Sequence, residues 1–215
     1  MIENENKQEE QVLVSVASER AEALGGILIA FFAALMAISD LTNNNIEEDK
    51  MLAQGKNNNY FSWYQSKSVK QSLQENELST LEILLKTGVV KPEKEVAIAE
   101  DIKKIKESIK RYKMEKKEIM EGSANIPKED WVQDIDGKMG QIIGVKEWEK
   151  KSEKLEKANN KFDVGMLFFQ ISLVLGAICI IIYDNPKLQK LFIGLMIGCG
   201  SAGVGFSIWG YMLSL

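Results

Sequence analysis

A chain of 215 residues with 27 Lys and Arg against 31 Asp and Glu has a formal charge of −4, which offers no cationic field to hold nucleic acid. It contains no histidine, so the commonest general base, the commonest zinc ligand and the usual pH switch are all missing. That weighs against most enzyme classes, and no motif for a cofactor or a metal takes their place; the two cysteines, Cys179 and Cys199, lie in apolar runs without metal-ligand spacing and read as small hydrophobes.

The average composition hides a segregation. Residues 1–23 form an acidic tail in which six Glu outnumber Lys7 and Arg20. Residues 24–41 are apolar and form the first predicted transmembrane helix, short but sufficient if slightly extended. A signal peptide competes, because Ala37 and Ser39 are small, but the region before them is long and acidic rather than short and basic. Gly26, Ala30 and Ala34 recur every four residues along this span.

Residues 42–162 are read as an extramembrane helical domain, with 22 Lys and Arg against 22 Asp and Glu between Thr42 and Asn160. Gly55 and Asn57, Asn58 and Asn59 are soft points before the aromatic group Tyr60, Phe61, Trp63 and Tyr64, which is assigned to a bundle core because roughly 30 Å of helix would separate it from the membrane. Gly88 reads as a helix stop and Pro92 as the next start. From there Ile98, Ile102, Ile105, Ile109, Tyr112, Lys116 and Ile119 alternate in steps of four and three, a heptad seam. Gly122 to Pro127 break it. Further seams are predicted at Val132, Ile135, Met139 and Ile142, and at Val145, Trp148, Ser152, Leu155, Asn159 and Phe162. Gly137, Gly140 and Gly144 separate the two. A chain that leaves the bilayer and returns needs an even number of traverses. A turn at these glycines gives four, and a break at Gly55 to Asn59 would do the same.

Residues 163–183 and 191–213 form the second and third predicted spans, each near the roughly 20 residues that cross about 30 Å of hydrocarbon. Since lipid offers the backbone no partners, each must be a continuous helix, with the Asp184-Asn185-Pro186 link at an interface. The fold class is therefore all-α: three transmembrane helices with an antiparallel helical bundle or coiled coil between the first and second.

Small residues recur in the third span at Gly194, Gly198 and Ala202 and would let another backbone approach closely, within the chain or between copies, matching the ridge of the first span. Asp40 and Asp163 sit at span ends, where carboxylates stay wet and Asp163 gains from a helix N-terminus. Gln170 lies deeper and would bond a neighbouring helix or line a pore. Asp134, Asp136 and Gly137 are a fragment of a calcium loop, but the register places Val132 and Ile143 at ligand positions, so the pattern fails.

Trp63-Tyr64-Gln65-Ser66-Lys67-Ser68-Val69-Lys70, preceded by Phe61, resembles the Tyr-Tyr-Gln-Ala-Lys-Ser-Ile-Lys stretch of the bacterial family catalogued as domain of unknown function 4337. The segment from Arg111-Tyr112 to Ile119 is similar to that family's basic-acidic Arg-Tyr segment. Phe61 stands where members often have Trp, and Ala158-Asn159-Asn160 where they often have histidines. The resemblance implies a bacterial integral membrane protein and no assigned reaction, and the expected location is the inner membrane.

The resulting expectation is a non-enzymatic, self-associating scaffold or accessory subunit of a membrane complex, with the lipid bilayer and a second copy or a larger complex as partners. The alternative is a homo-oligomeric channel or transporter component with a pore lined by the third span. Lysines near the span ends favour a cytoplasmic helical domain and C-terminus.

Overall fold

The computed structural model describes the backbone of residues 2–182 and 185–215 and the side chains of residues 19–182 and 185–215. Most of the acidic tail, the last residue of the second predicted span, Tyr183, and the loop residue Asp184 lie outside the described side chains. Among the described residues the chain is mostly helical, interrupted chiefly at 87–91 and 122–144. It comprises α1 (Ile2–Lys86), α2 (Pro92–Glu121), α3 (Val145–Ile181) and α4 (Pro186–Ser214), with a two-stranded hairpin of β1 (Asp134–Ile135) and β2 (Lys138–Met139) between α2 and α3. Three helices, α1, α3 and α4, are long and apolar enough to cross a membrane. Two compact units divide the chain, residues 1–50 with 154–215 and residues 51–153.

In the first unit α3 runs antiparallel to α1, with Cys179 against Gly25 and Asp163 beside Asn43. Helix α4 in turn runs antiparallel to α3, and Ser172 Oγ donates to the Met196 carbonyl at 2.8 Å. The core is Phe32, Phe169 and Met196, packed against Leu28, Ile29, Leu173 and Val204. Buried positions of α4 fall at Met196, Gly200, Gly203, Ser207 and Gly210, steps of four and three that make one face. A Cβ on Gly200 would run into the Phe32 ring, on Gly203 into the Gly165 carbonyl and the Phe169 ring, and on Gly210 into the Phe162 ring. Glycine is what lets three aromatic rings lie against the α4 backbone.

This differs from the ridges expected from sequence. Among the described residues nothing lies within 4 Å of a Cβ built on Gly26, Gly194 or Gly198, and Ala30 and Ala34 are exposed while Ala202 is half-buried. The spans therefore pack through other small residues. Gly194 and Gly203 lie on opposite sides of α4, because nine residues advance a 3.6-residue helix by two and a half turns.

In the second unit α2 runs antiparallel to α1, fixed by ion pairs of Lys106 with Glu82 at 2.9 Å and Lys67 with Glu115 at 2.6 Å. Helix α1 stops where Gly88 takes φ +66°, and α2 starts at Pro92. Ile105, Ile109 and Ile119 of the heptad seam are buried, with Ile98, Ile102, Tyr112 and Lys116 half-buried. Every position of the Val145–Phe162 seam on α3 is buried except Trp148, which is half-buried.

Two expectations need correction. Helix α1 continues through Gly55 and the three asparagines, whose helix propensities cost at most about 1 kcal/mol each and are overridden by the helix on either side. Residues 128–144 form no helical seam. Instead they hold a 3₁₀ turn and a β-hairpin whose two-residue loop, Asp136 and Gly137, has φ of 53° and 79°, and the Asp134 carboxylate accepts from the Gly137 N–H at 2.6 Å. Asp-Gly supplies the two left-handed residues that a tight hairpin turn requires. Within each unit the helix that packs on α1, α3 in the first and α2 in the second, runs antiparallel to it.

Replacing Gly203 by Val should lower the unfolding temperature of the detergent-solubilised protein, by the equivalent of about 1–3 kcal/mol of overpacking. Gly55→Val, where an added Cβ meets nothing within 4 Å, should not lower it, and circular dichroism melts of the two variants provide the comparison.

Candidate functional site

The two family-like segments are more than forty residues apart in sequence and meet in the second unit. Glu115 points inward from α2 with its side chain 3% exposed. A carboxylate so far out of water needs a charged partner. Lys67 of α1 supplies one at 2.6 Å and Arg111, one turn earlier on α2, a second at 2.9 Å. The Lys67 ammonium also lies 5.8 Å from the centroid of the Tyr112 ring, and Lys116 lies 5.2 Å from that of Tyr64. These cation–π contacts zip α1 to α2 from both sides. Phe61 stacks on Tyr64 at 6.1 Å with 12° between the planes, and Tyr60 lies 5.9 Å from Trp63.

Lys67, Arg111, Tyr112 and Tyr64 thus come together, whereas Phe61 is 42% exposed, Trp63 half-buried and Gln65 exposed. The aromatic group is not the bundle core that its distance from the membrane suggested. It is the rim of an ionic contact, where tyrosine keeps its ring against a cation and its hydroxyl in water.

A second buried carboxylate escaped the sequence reading altogether. Glu118 is fully buried, and its carboxylate accepts from Ser123 Oγ at 2.7 Å and from the backbone N–H groups of Val132 and Gln133, both at 2.9 Å. Ser123 Oγ accepts in turn from the Ile142 N–H at 3.0 Å, and the Trp131 indole donates to the Ser123 carbonyl at 2.9 Å. A non-helical loop is thereby tied to α2 by one side chain that satisfies its orphan donors. Gly122, with φ +89°, and Gly144 cross so closely that a Cβ on Gly144 would strike the backbone of Glu121 and Gly122. Glu147 reaches back to the Gly144 N–H at 2.9 Å and caps α3. The acidic residue three places after Gly144 is the capping signal, and Asp136-Gly137 the hairpin signal, that would have placed this loop from sequence.

In the first unit, Asn43 and Asn159 are buried and bonded to each other at 2.9 Å, and Asn43 donates to Asp163 at 3.0 Å. Ser39 Oγ donates to Ser207 Oγ at 3.1 Å, which donates to the Gly203 carbonyl. Asp163 therefore belongs to an interhelical polar ladder. Asp40 and Gln170 are exposed. Among the described residues no group of three or more Asp, Glu or Cys is placed to hold a metal ion.

At the free end of the helix pair, Leu85, Ala99 and Ile102 floor a groove between Glu82, Lys86 and Lys106. A hydrogen bond from Lys106, together with its charge and that of Lys86, holds the Glu82 carboxyl below the usual carboxylate range.

The sequence model of a family described as Domain of unknown function (DUF4337) matches residues 21–213. No curated protein and no solved structure matches the chain.

The ionic contact can be tested by a double-mutant cycle. Glu115→Ala should destabilise the fold by about 3 kcal/mol, since it strands Lys67, while Lys67→Met with Glu115→Leu should recover most of the loss in urea titrations. Glu118→Ala should open the loop to protease between residues 122 and 144, with Glu118→Gln, which retains one acceptor oxygen, giving slower cleavage in timed limited proteolysis.

Proposed function

We propose that this chain, which belongs to the DUF4337 family, is a non-enzymatic scaffold of the bacterial inner membrane that associates with copies of itself and presents its charged helical domain to the cytoplasm. The observation that carries the reading is the second small-residue face of α4. Gly194, Gly198, Ser201 and Gly205 are all exposed, on the side away from the face that the chain itself uses. Each glycine costs about 1 kcal/mol against alanine in a helix interior, and a face that meets only lipid gains nothing in return. A helix laid against it gains close backbone approach. Gly26, Ala30 and Ala34 on α1 offer a like ridge, also exposed.

Gln170 adds an independent reason. It is exposed midway along an apolar stripe of α3 that includes Leu167, Val174 and Ile181, and an amide facing hydrocarbon is better satisfied by another helix. The cytoplasmic placement is supported by charge: Lys50, Lys56, Lys146, Lys150, Lys151, Lys154, Lys157 and Lys161 lie near the span ends on the helical-domain side, against Arg20, Lys187 and Lys190 on the other. The second reading, a homo-oligomeric channel, draws on the same α4 face and on Gln170 as a pore-lining amide, and differs by requiring conductance.

Mass measurement in mild detergent should return a dimer or a higher homo-oligomer, and Gly198→Ile should shift it toward monomer. A clean monomer with nothing co-purifying would contradict the proposal.

A further inference from the structure

The outer face of α1 in the second unit is built unlike the rest of that helix. Ser66, Val69, Leu73, Asn76, Thr80 and Ile83 follow each other in steps of three and four, and all six are exposed, with Val69 at 60%, Leu73 at 62% and Ile83 at 56%. Charged residues of the same stretch lie off this line. Lys67 and Glu82 turn toward α2 in ion pairs, and Glu75 and Glu77 accept hydrogen bonds from Gln71 and Gln74 of their own helix. Three apolar and three neutral polar residues make an uncharged heptad line in a segment of high charge, and among the described residues nothing covers it.

We propose that this line is the seam of a parallel, two-fold helix pair between two copies of the chain, in which α1 lies against α1 of the second copy. The inference rests on the self-association proposed above and names its extramembrane surface. Charge decides between occupants. In a parallel pair around a two-fold axis every seam residue meets its own counterpart, so any Lys or Glu on the line would face a like charge; the line carries none. The flanking positions obey the same rule. Gln65 on one copy comes beside Lys70 of the other, and Ser72 beside Glu77, so each of these flanking charges meets a neutral polar side chain rather than its own sign. Asn76 meets Asn76, an amide that both donates and accepts, so the two can bond each other across the axis. Parallel orientation follows from the apolar span carried by the same helix, because copies inserted in one membrane share their direction.

The test uses the full-length chain in mild detergent with Cys179→Ser and Cys199→Ala, carrying single cysteines at Leu73→Cys, Thr80→Cys or, as a control off the seam, Glu75→Cys. Gentle oxidation should cross-link the first two to themselves at least about tenfold faster than the third, since only seam positions bring Cα atoms within disulfide reach. In parallel, Leu73→Lys and Leu73→Glu chains with different tags should each lose self-pairing by about tenfold or more, and mixing them should give the heterodimer. An oligomer by mass that cross-links equally at all three positions, or at none, overturns the seam and leaves self-association standing. Cross-linking of position 73 to a different polypeptide also overturns it. A monomer by mass overturns both.

Discussion

Helices in lipid cannot be pressed together by the hydrophobic effect, because the surrounding chains are as apolar as their side chains. The first unit depends on that constraint. Its three helices are held by close approach at α4, where Gly200, Gly203 and Gly210 receive Phe32, Phe169 and Phe162, and by hydrogen bonds between helices such as Ser172 to Met196 and Asn43 to Asn159. Larger residues at those glycines would separate the helices and leave the buried serines and asparagines without partners. Packing and polar satisfaction are therefore one arrangement.

The second unit, rich in charge, solves a different problem. A hairpin of two long, highly charged helices buries little apolar surface, and two glutamates on α2 carry much of the specificity. Glu115 selects Lys67 and so sets the register of α2 on α1, while Glu118 gathers the backbone donors of the following loop. Removing either leaves a group that was folded around a full negative charge facing nothing. The DUF4337 family match, residues 21–213, takes in the whole of this unit.

Much of this was legible beforehand. Length and hydropathy located three membrane-competent helices, and the Ile98–Ile119 and Val145–Phe162 seams anticipated the buried faces of α2 and α3, since a period near 3.6 directly reports which side is covered. The loop between them was misread because apolar residues at Val132, Ile135, Met139 and Ile142 mimic that period while Asp136-Gly137 enforces a hairpin. Buried glutamates were invisible because burial of a charge depends on partners that come from other segments. The small-residue ridges were read at Gly26, Ala30 and Ala34 and at Gly194, Gly198 and Ala202, whereas the face of α4 that packs within the chain carries Gly200, Gly203 and Gly210. Gly194 and Gly200 are equally small, and only the positions of Phe32, Phe162 and Phe169 reveal which face the chain itself uses.

The central claim is that α4 lies in lipid with one glycine-lined face against α1 and α3. A spin-label scan of residues 191–213 in lipid vesicles, reading collision with oxygen and with a water-soluble relaxing agent, tests it most directly. In the Gly198→Ile chain, whose outer α4 face no second copy covers, the account predicts oxygen accessibility with a 3.6-residue period and minima at Met196, Gly200, Gly203, Ser207 and Gly210, with the water-soluble agent excluded throughout. Free access of that agent along the helix, or a profile without periodicity, would contradict it.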